Sequence, residues 1–118
     1  MKRSHRDLRA WQKAIDLVSA VYKFTQDFPE YERYGLVGQM RRAAVSVPAN
    51  IAEGAARNST KELLHFLSIS CGSLSELDTL VSVSEKLGYV KNGKSLQNQI
   101  DDVSGLVMGL AASLRRRS

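Results

Sequence analysis

From Leu8 onward, apolar side chains recur at steps of three and four residues. Leu8, Trp11, Ile15, Val18 and Tyr22 mark one face of an α-helix. A second stripe, Ala10, Ala14, Leu17, Val21 and Phe24, runs beside it. Together they are wider than one helix of a small bundle needs for its core, so part of this face is expected to meet something else. Pro29 disfavours helix in the residue before it, which places the end of this helix near Asp27. After a turn-like stretch at 28–33, the stripe Val37, Met40, Ala44, Val47, Ile51 predicts a second helix. Ala43, Ser46, Ala49 and Ala52 on it are small enough to admit a close neighbour. Pro48 falls inside the segment and predicts a kink rather than a break, because the periodicity continues through Ile51 and Ala52.

Gly54 and the run 57–60 read as a helix stop followed by a start, and Ser59 with Glu62 has the spacing of a capping box. The third helix carries Leu63, Leu67, Ser70, Leu74, Leu77 and Val81 on one stripe. Phe66, Ile69, Ser73, Leu80, Val83 and Leu87 form the next. Gly88 is a natural residue to follow its end. The polar turn 91–94 leads to a fourth helix with Ser95 as its expected N-cap and Leu96, Ile100, Val103, Val107, Leu110 and Leu114 as its stripe. Four long helices on short connections predict an all-α, up-and-down antiparallel four-helix bundle.

With 118 residues, 43% of them hydrophobic and 25% charged, the chain matches one globular domain over its whole length. About 1–6 and 116–118 are expected to be loosely ordered basic tails. No apolar run approaches the roughly 20 residues that span a bilayer, and no signal-peptide core follows the basic start, so a cytoplasmic protein without membrane contact is expected. The lone Cys71 lies in an apolar helical stretch and reads as a small buried hydrophobe.

The net charge of +5 is unevenly spread. Lys2, Arg3, Arg6, Arg9, Arg115, Arg116 and Arg117 face only Asp7 at the two chain ends, whereas the interior is close to neutral. In an up-and-down bundle both ends lie at one pole, together with the connection between helices two and three, which adds Arg57 and Lys61. Such a pole is the footprint of a surface that meets phosphate or an acidic partner. Arginines in a last helical turn are also favoured by the helix dipole with no partner at all.

A polar row, Gln39, Arg42, Ser46, Asn50, Glu53 and Arg57, is spaced for one face of helix two. Ser73 and Glu76 interrupt an apolar stripe of helix three. Either a solvated face or an interface network accounts for such a row. Glu62 and His65 have the E-x-x-H spacing of di-metal carboxylate bundles, but only one copy exists and the other histidine, His5, lies in the basic tail. No metal site is therefore expected. No phosphate-binding glycine loop, nucleophile elbow or paired nucleophile and base is present either, which argues against an enzyme or a cofactor.

Residues 34–54, with the uncommon helical combination Ser46-x-Pro48-x-Asn50-Ile51-x-Glu53-Gly54, resemble the signature of the 23S rRNA intervening-sequence protein family. The stretch 7–14, the Phe28-Pro29 turn, and Lys61-Glu62-Leu63 through Leu77 resemble it in order and spacing, so the likeness covers about residues 7–90. The resemblance implies an up-and-down bundle assembled into a homopentameric ring. A similar bundle serves as the accessory protein of diversity-generating retroelements, a basic pentamer that works with a reverse transcriptase and its RNA. The family supplies no catalytic residues. The expectation is thus a non-enzymatic homo-oligomer that binds nucleic acid, RNA before DNA, through its basic pole. The alternative is a scaffold for a protein partner with no direct RNA contact.

Overall fold

The computed structural model describes residues 4–117, and among these every long element is helical: α1 (Arg9–Thr25), α2 (Leu36–Ala55), α3 (Thr60–Lys86) and α4 (Lys94–Arg117). Each helix packs beside the next, and α4 closes against α1, in a bundle of 47 × 22 × 19 Å. The architecture is the up-and-down four-helix bundle expected from the stripes. None of the helices is long and apolar enough to cross a membrane.

Of the two stripes on α1, the smaller side chains face inward. Ala10, Ala14, Leu17 and Val21 are buried, while Ile15 and Tyr22 remain 42% and 43% exposed. The outer stripe is left at the α1–α2 surface, where Arg41 of α2 stacks over the Tyr22 ring. On α3 the first stripe is the buried one, with Leu67, Leu74, Leu77 and Val81 all inside. Each leucine buried in this way contributes about 1.5–3 kcal/mol relative to exposure.

The helix ends differ from expectation where tertiary contacts decide them. α1 stops at Thr25, whose hydroxyl donates to the Val21 carbonyl (2.9 Å), and Phe28 then folds inward against Phe24 and Tyr89. α2 passes through a buried Pro48 without interruption. Gly54 stands in the last turn of that helix, which ends one residue later at Ala55 as the sequence suggests, and it also marks a close approach to α3: an added Cβ would stand 2.8 Å from Phe66 Cβ and 2.9 Å from Leu63 Cδ1. Ser59 caps α3 by accepting from the Glu62 amide (3.0 Å). At the other end Gly88 takes φ +80°, with the Gly88 and Tyr89 amides donating to the Glu85 and Ser84 carbonyls, a Schellman closure. Ser95 is not the cap of α4, which starts one residue earlier. There the Lys94 amide donates to Asn92 Oδ1 (2.8 Å), and the Gly93 amide to Glu85 Oε2 (2.7 Å), so a side chain from α3 holds the turn.

Of the two chain ends, residues 4–7 and 116–117 fall within the described part. Ser4 accepts from the Arg6 amide and opens a 3-10 turn over His5–Asp7, and α4 continues through Arg116 to Arg117.

Candidate nucleic-acid interface

Antiparallel packing brings three separate chain segments to one pole. Ser4 and Leu8 ahead of α1, Ala55, Arg57, Asn58, Ser59, Thr60 and Leu63 at the α2–α3 corner, and Leu110, Leu114 and Arg117 of α4 surround a recess of about 330 Å³. Its floor is leucine from three segments, and its rim carries Arg57, Arg117 and the polar groups of Asn58, Ser59 and Thr60.

The bases predicted for this pole are not all aimed the same way. Arg6 lies with its guanidinium 5.2 Å from the Trp11 ring centre, and the Gln12 side chain donates to its carbonyl (2.7 Å). Arg9 turns into the α1–α4 seam beside Lys13, Asp16 and Asp102. Arg115 lines the α3–α4 seam next to Cys71, while Arg116 and Lys61 are exposed. Lys2 and Arg3 lie outside the described residues.

Arg57 is the most constrained of these side chains. It pairs with Glu53 (2.8 Å) and Glu62 (3.8 Å) and covers the Phe66 ring at 5.1 Å. The α2–α3 connection therefore contributes two bases and two carboxylates to the pole. The excess of positive charge rests on Arg6, Arg9, Arg115, Arg116 and Arg117 against Asp7. The carbonyls at the end of α4 favour three of these arginines where they are.

The polar row of α2 lies along the α2–α3 seam. Ser46 and Ser73 hydroxyls share a hydrogen bond (2.8 Å), and the Asn50 amide donates back to both the Ser46 carbonyl (2.8 Å) and Oγ (2.9 Å). Gln39 donates to Glu76 at the outer edge (3.5 Å). Arg42 folds back toward Gly38, and Glu53 belongs with Arg57 rather than with this network. The arrangement ties two helices together and encloses no reactive group.

His65 is exposed and meets the Phe66 ring edge-on, and among the described residues no cluster of three His, Cys, Asp or Glu side chains is placed to hold a metal ion. Cys71 is half-buried, and burial pushes its thiol above the ordinary value against an opposing effect from Arg115, which disfavours a reactive thiolate.

Sequence reasoning missed the opposite pole. There Glu32 accepts from the Leu36 amide through Oε1 (3.1 Å) and from the Tyr89 hydroxyl through Oε2 (2.7 Å), joining the α1–α2 and α3–α4 connections. A glutamate four residues ahead of the first turn of α2 was the available signal, but its partner lies 57 residues away.

The chain thus combines an up-and-down bundle with one arginine-rich pole and a polar α2–α3 seam, and over residues 6–109 it matches the 23S rRNA-intervening sequence protein family, to which it belongs. Its fold is similar to that of a protein of unknown function from the S23 ribosomal protein family of Bacteroides thetaiotaomicron VPI-5482. The TM-score is 0.76 at 19% identity, over 86% of this chain and 97% of that one. No curated protein matches the chain.

Proposed function

We propose that this protein is a non-enzymatic, cytoplasmic subunit of a homo-oligomer, a pentameric ring as the family resemblance implies, that binds structured RNA through its arginine-rich pole. The observation that carries this reading is the recess at that pole, where three distant segments converge with Arg57 and Arg117 on the rim. The flanking bases Arg6 and Arg116 and the hydroxyls of Ser59 and Thr60 supply the donors that phosphate oxygens accept. The family name points to the same class of partner. A ring would gather several such poles on one side and multiply the local charge.

The test is a mobility shift with a structured RNA over a range of salt, comparing the parent with the triple variant R115S/R116S/R117S. Phosphate contacts make the logarithm of affinity fall linearly with that of salt, and each lost contact lowers the slope by about one unit. The variant should bind several-fold more weakly with a shallower slope, while Arg42→Ser, away from the pole, leaves both unchanged. A parent whose RNA affinity equals that of any basic protein, with no change of slope in the variant, overturns the reading. The outcome would then favour the scaffold for a protein partner, which the exposed apolar side chains of α1 also fit.

A further inference from the structure

Two opposite faces of the bundle differ in relief. On the α1–α2 face Ile15, Tyr22 and Val45 stand 42%, 43% and 44% exposed, beside half-buried Trp11 and Val18. On the α3–α4 face the exposed row of α3 is Ser68, Gly72, Ser75 and Thr79, and Gly105 lies on the outer side of α4. Between these two helices runs a groove of about 380 Å³ whose walls include Cys71 and the 61% exposed Met108, a large apolar side chain that projects beside it. A Cβ added at Gly72 or Gly105 would meet nothing within 4 Å. No contact among the described residues accounts for glycine at these helix-interior positions, where it is less favourable than alanine.

The charges of the two faces are complementary and stand at the same height. Arg41, on the α1–α2 face, stacks 4.3 Å from the Tyr22 ring centre and donates to Thr25 Oγ1 (3.0 Å). Among the described residues it has no carboxylate partner, and neither Asp78 nor Asp101 has a basic one. The Gln39–Glu76 bond sets this part of α3 level with the start of α2, and the Gln97–Ser82 bond sets α4 beside it. Asp78 and Asp101 therefore lie across the bundle from Arg41. By the same reasoning the Ser46–Ser73 bond sets Gly72 level with Val45.

We infer that the α1–α2 face of one protomer docks, head to tail, on the α3–α4 face of a second copy of this chain. Ile15, Tyr22 and Val45 pack onto the low surface around Gly72 and Gly105, and Arg41 meets Asp78 and Asp101. The inference rests on the proposed homo-oligomer and adds which faces meet. Because the two faces lie on opposite sides of one bundle, each protomer keeps one of them open after the first contact, so copies add head to tail and close into a ring where the rotation between them allows it. A two-fold pairing of the α1–α2 face with itself would oppose two Arg41 guanidinium groups instead.

The test uses the full chain in a Cys71→Ser background, with Ile15→Cys and Gly72→Cys made separately and a short bis-maleimide as cross-linker. Neither variant alone should cross-link to itself, the two co-expressed should give covalent dimers, and the double variant should give covalent rings. Arg41→Glu, which sets three carboxylates against one another, should weaken assembly about tenfold or more, and adding Asp101→Lys should restore part of it. Self-cross-linking of Ile15→Cys, or an oligomeric mass with no cross-link in any combination, overturns the assignment of faces while leaving the oligomer standing. A single-chain mass for the parent by sedimentation equilibrium at micromolar concentration overturns both.

Discussion

At Gly54 a methyl group would stand 2.8 Å from Phe66 Cβ and 3.3 Å from the Leu63 carbonyl, so alanine there must push α2 and α3 apart. Gly54→Ala should destabilise the fold by about 1–3 kcal/mol, the usual cost of overpacking, read as a lower midpoint in urea with an unchanged slope. Sequence alone reads this glycine as a helix stop, and α2 does end at the next residue, but the close approach to α3 is not legible there, because a glycine before a polar run looks the same with or without a neighbour. Glu32 is a second residue whose role depends on tertiary contact. The Tyr89 hydroxyl and then the Leu36 amide hold its carboxyl below the ordinary value, against a smaller opposing effect of burial. A carboxyl with a depressed folded value adds stability that is present above its unfolded value, about 4.3 for glutamate, and is lost as pH falls through the folded one. Stability should therefore decline on acidification below about pH 4.3, and Glu32→Gln should flatten that part of the profile in denaturation at stepped pH.

Among the helices, signals that a short window contains are the ones legible in advance. Ser59 with Glu62, and Gly88 at positive φ, sit where capping chemistry alone puts them. The start of α4 falls ahead of Ser95 because Glu85, eight residues before Gly93, holds the Gly93 amide, a contact that no short window contains. Periodicity also cannot choose between two adjacent stripes on α1. The structure buries the one with Ala10 and Ala14. Gly109 in α4 illustrates a helix carrying a cost that no neighbour explains, since a Cβ there has open space around it. Gly109→Ala should raise stability by about 0.5–1 kcal/mol, visible as a higher midpoint in thermal unfolding.

For the whole molecule, the candidate interface was legible as a list of bases but not as a balance of charge. Arg57 and Lys61 stand out when bases alone are counted along the chain, whereas the fold sets Glu53 and Glu62 beside them. Those carboxylates are about half exposed, so the ion pairs they make with Arg57 contribute at most about 1 kcal/mol to stability. Their effect on a phosphate ligand is larger in kind, because each competes for the Arg57 guanidinium and repels the incoming anion at the rim of the recess. Glu53→Gln keeps the shape and the amide's capacity to hydrogen-bond but removes one negative charge. If RNA binds at this pole, Glu53→Gln should tighten binding several-fold at low salt and steepen the salt dependence by up to about one unit, because Arg57 then engages phosphate more fully. The change in affinity should shrink as salt rises toward 1 M, where the screening length falls to about 3 Å. A protein-partner scaffold that leaves this recess open predicts no effect on RNA at any salt. The substitution is thus a gain-of-binding test, in which loss of folding cannot imitate the expected result.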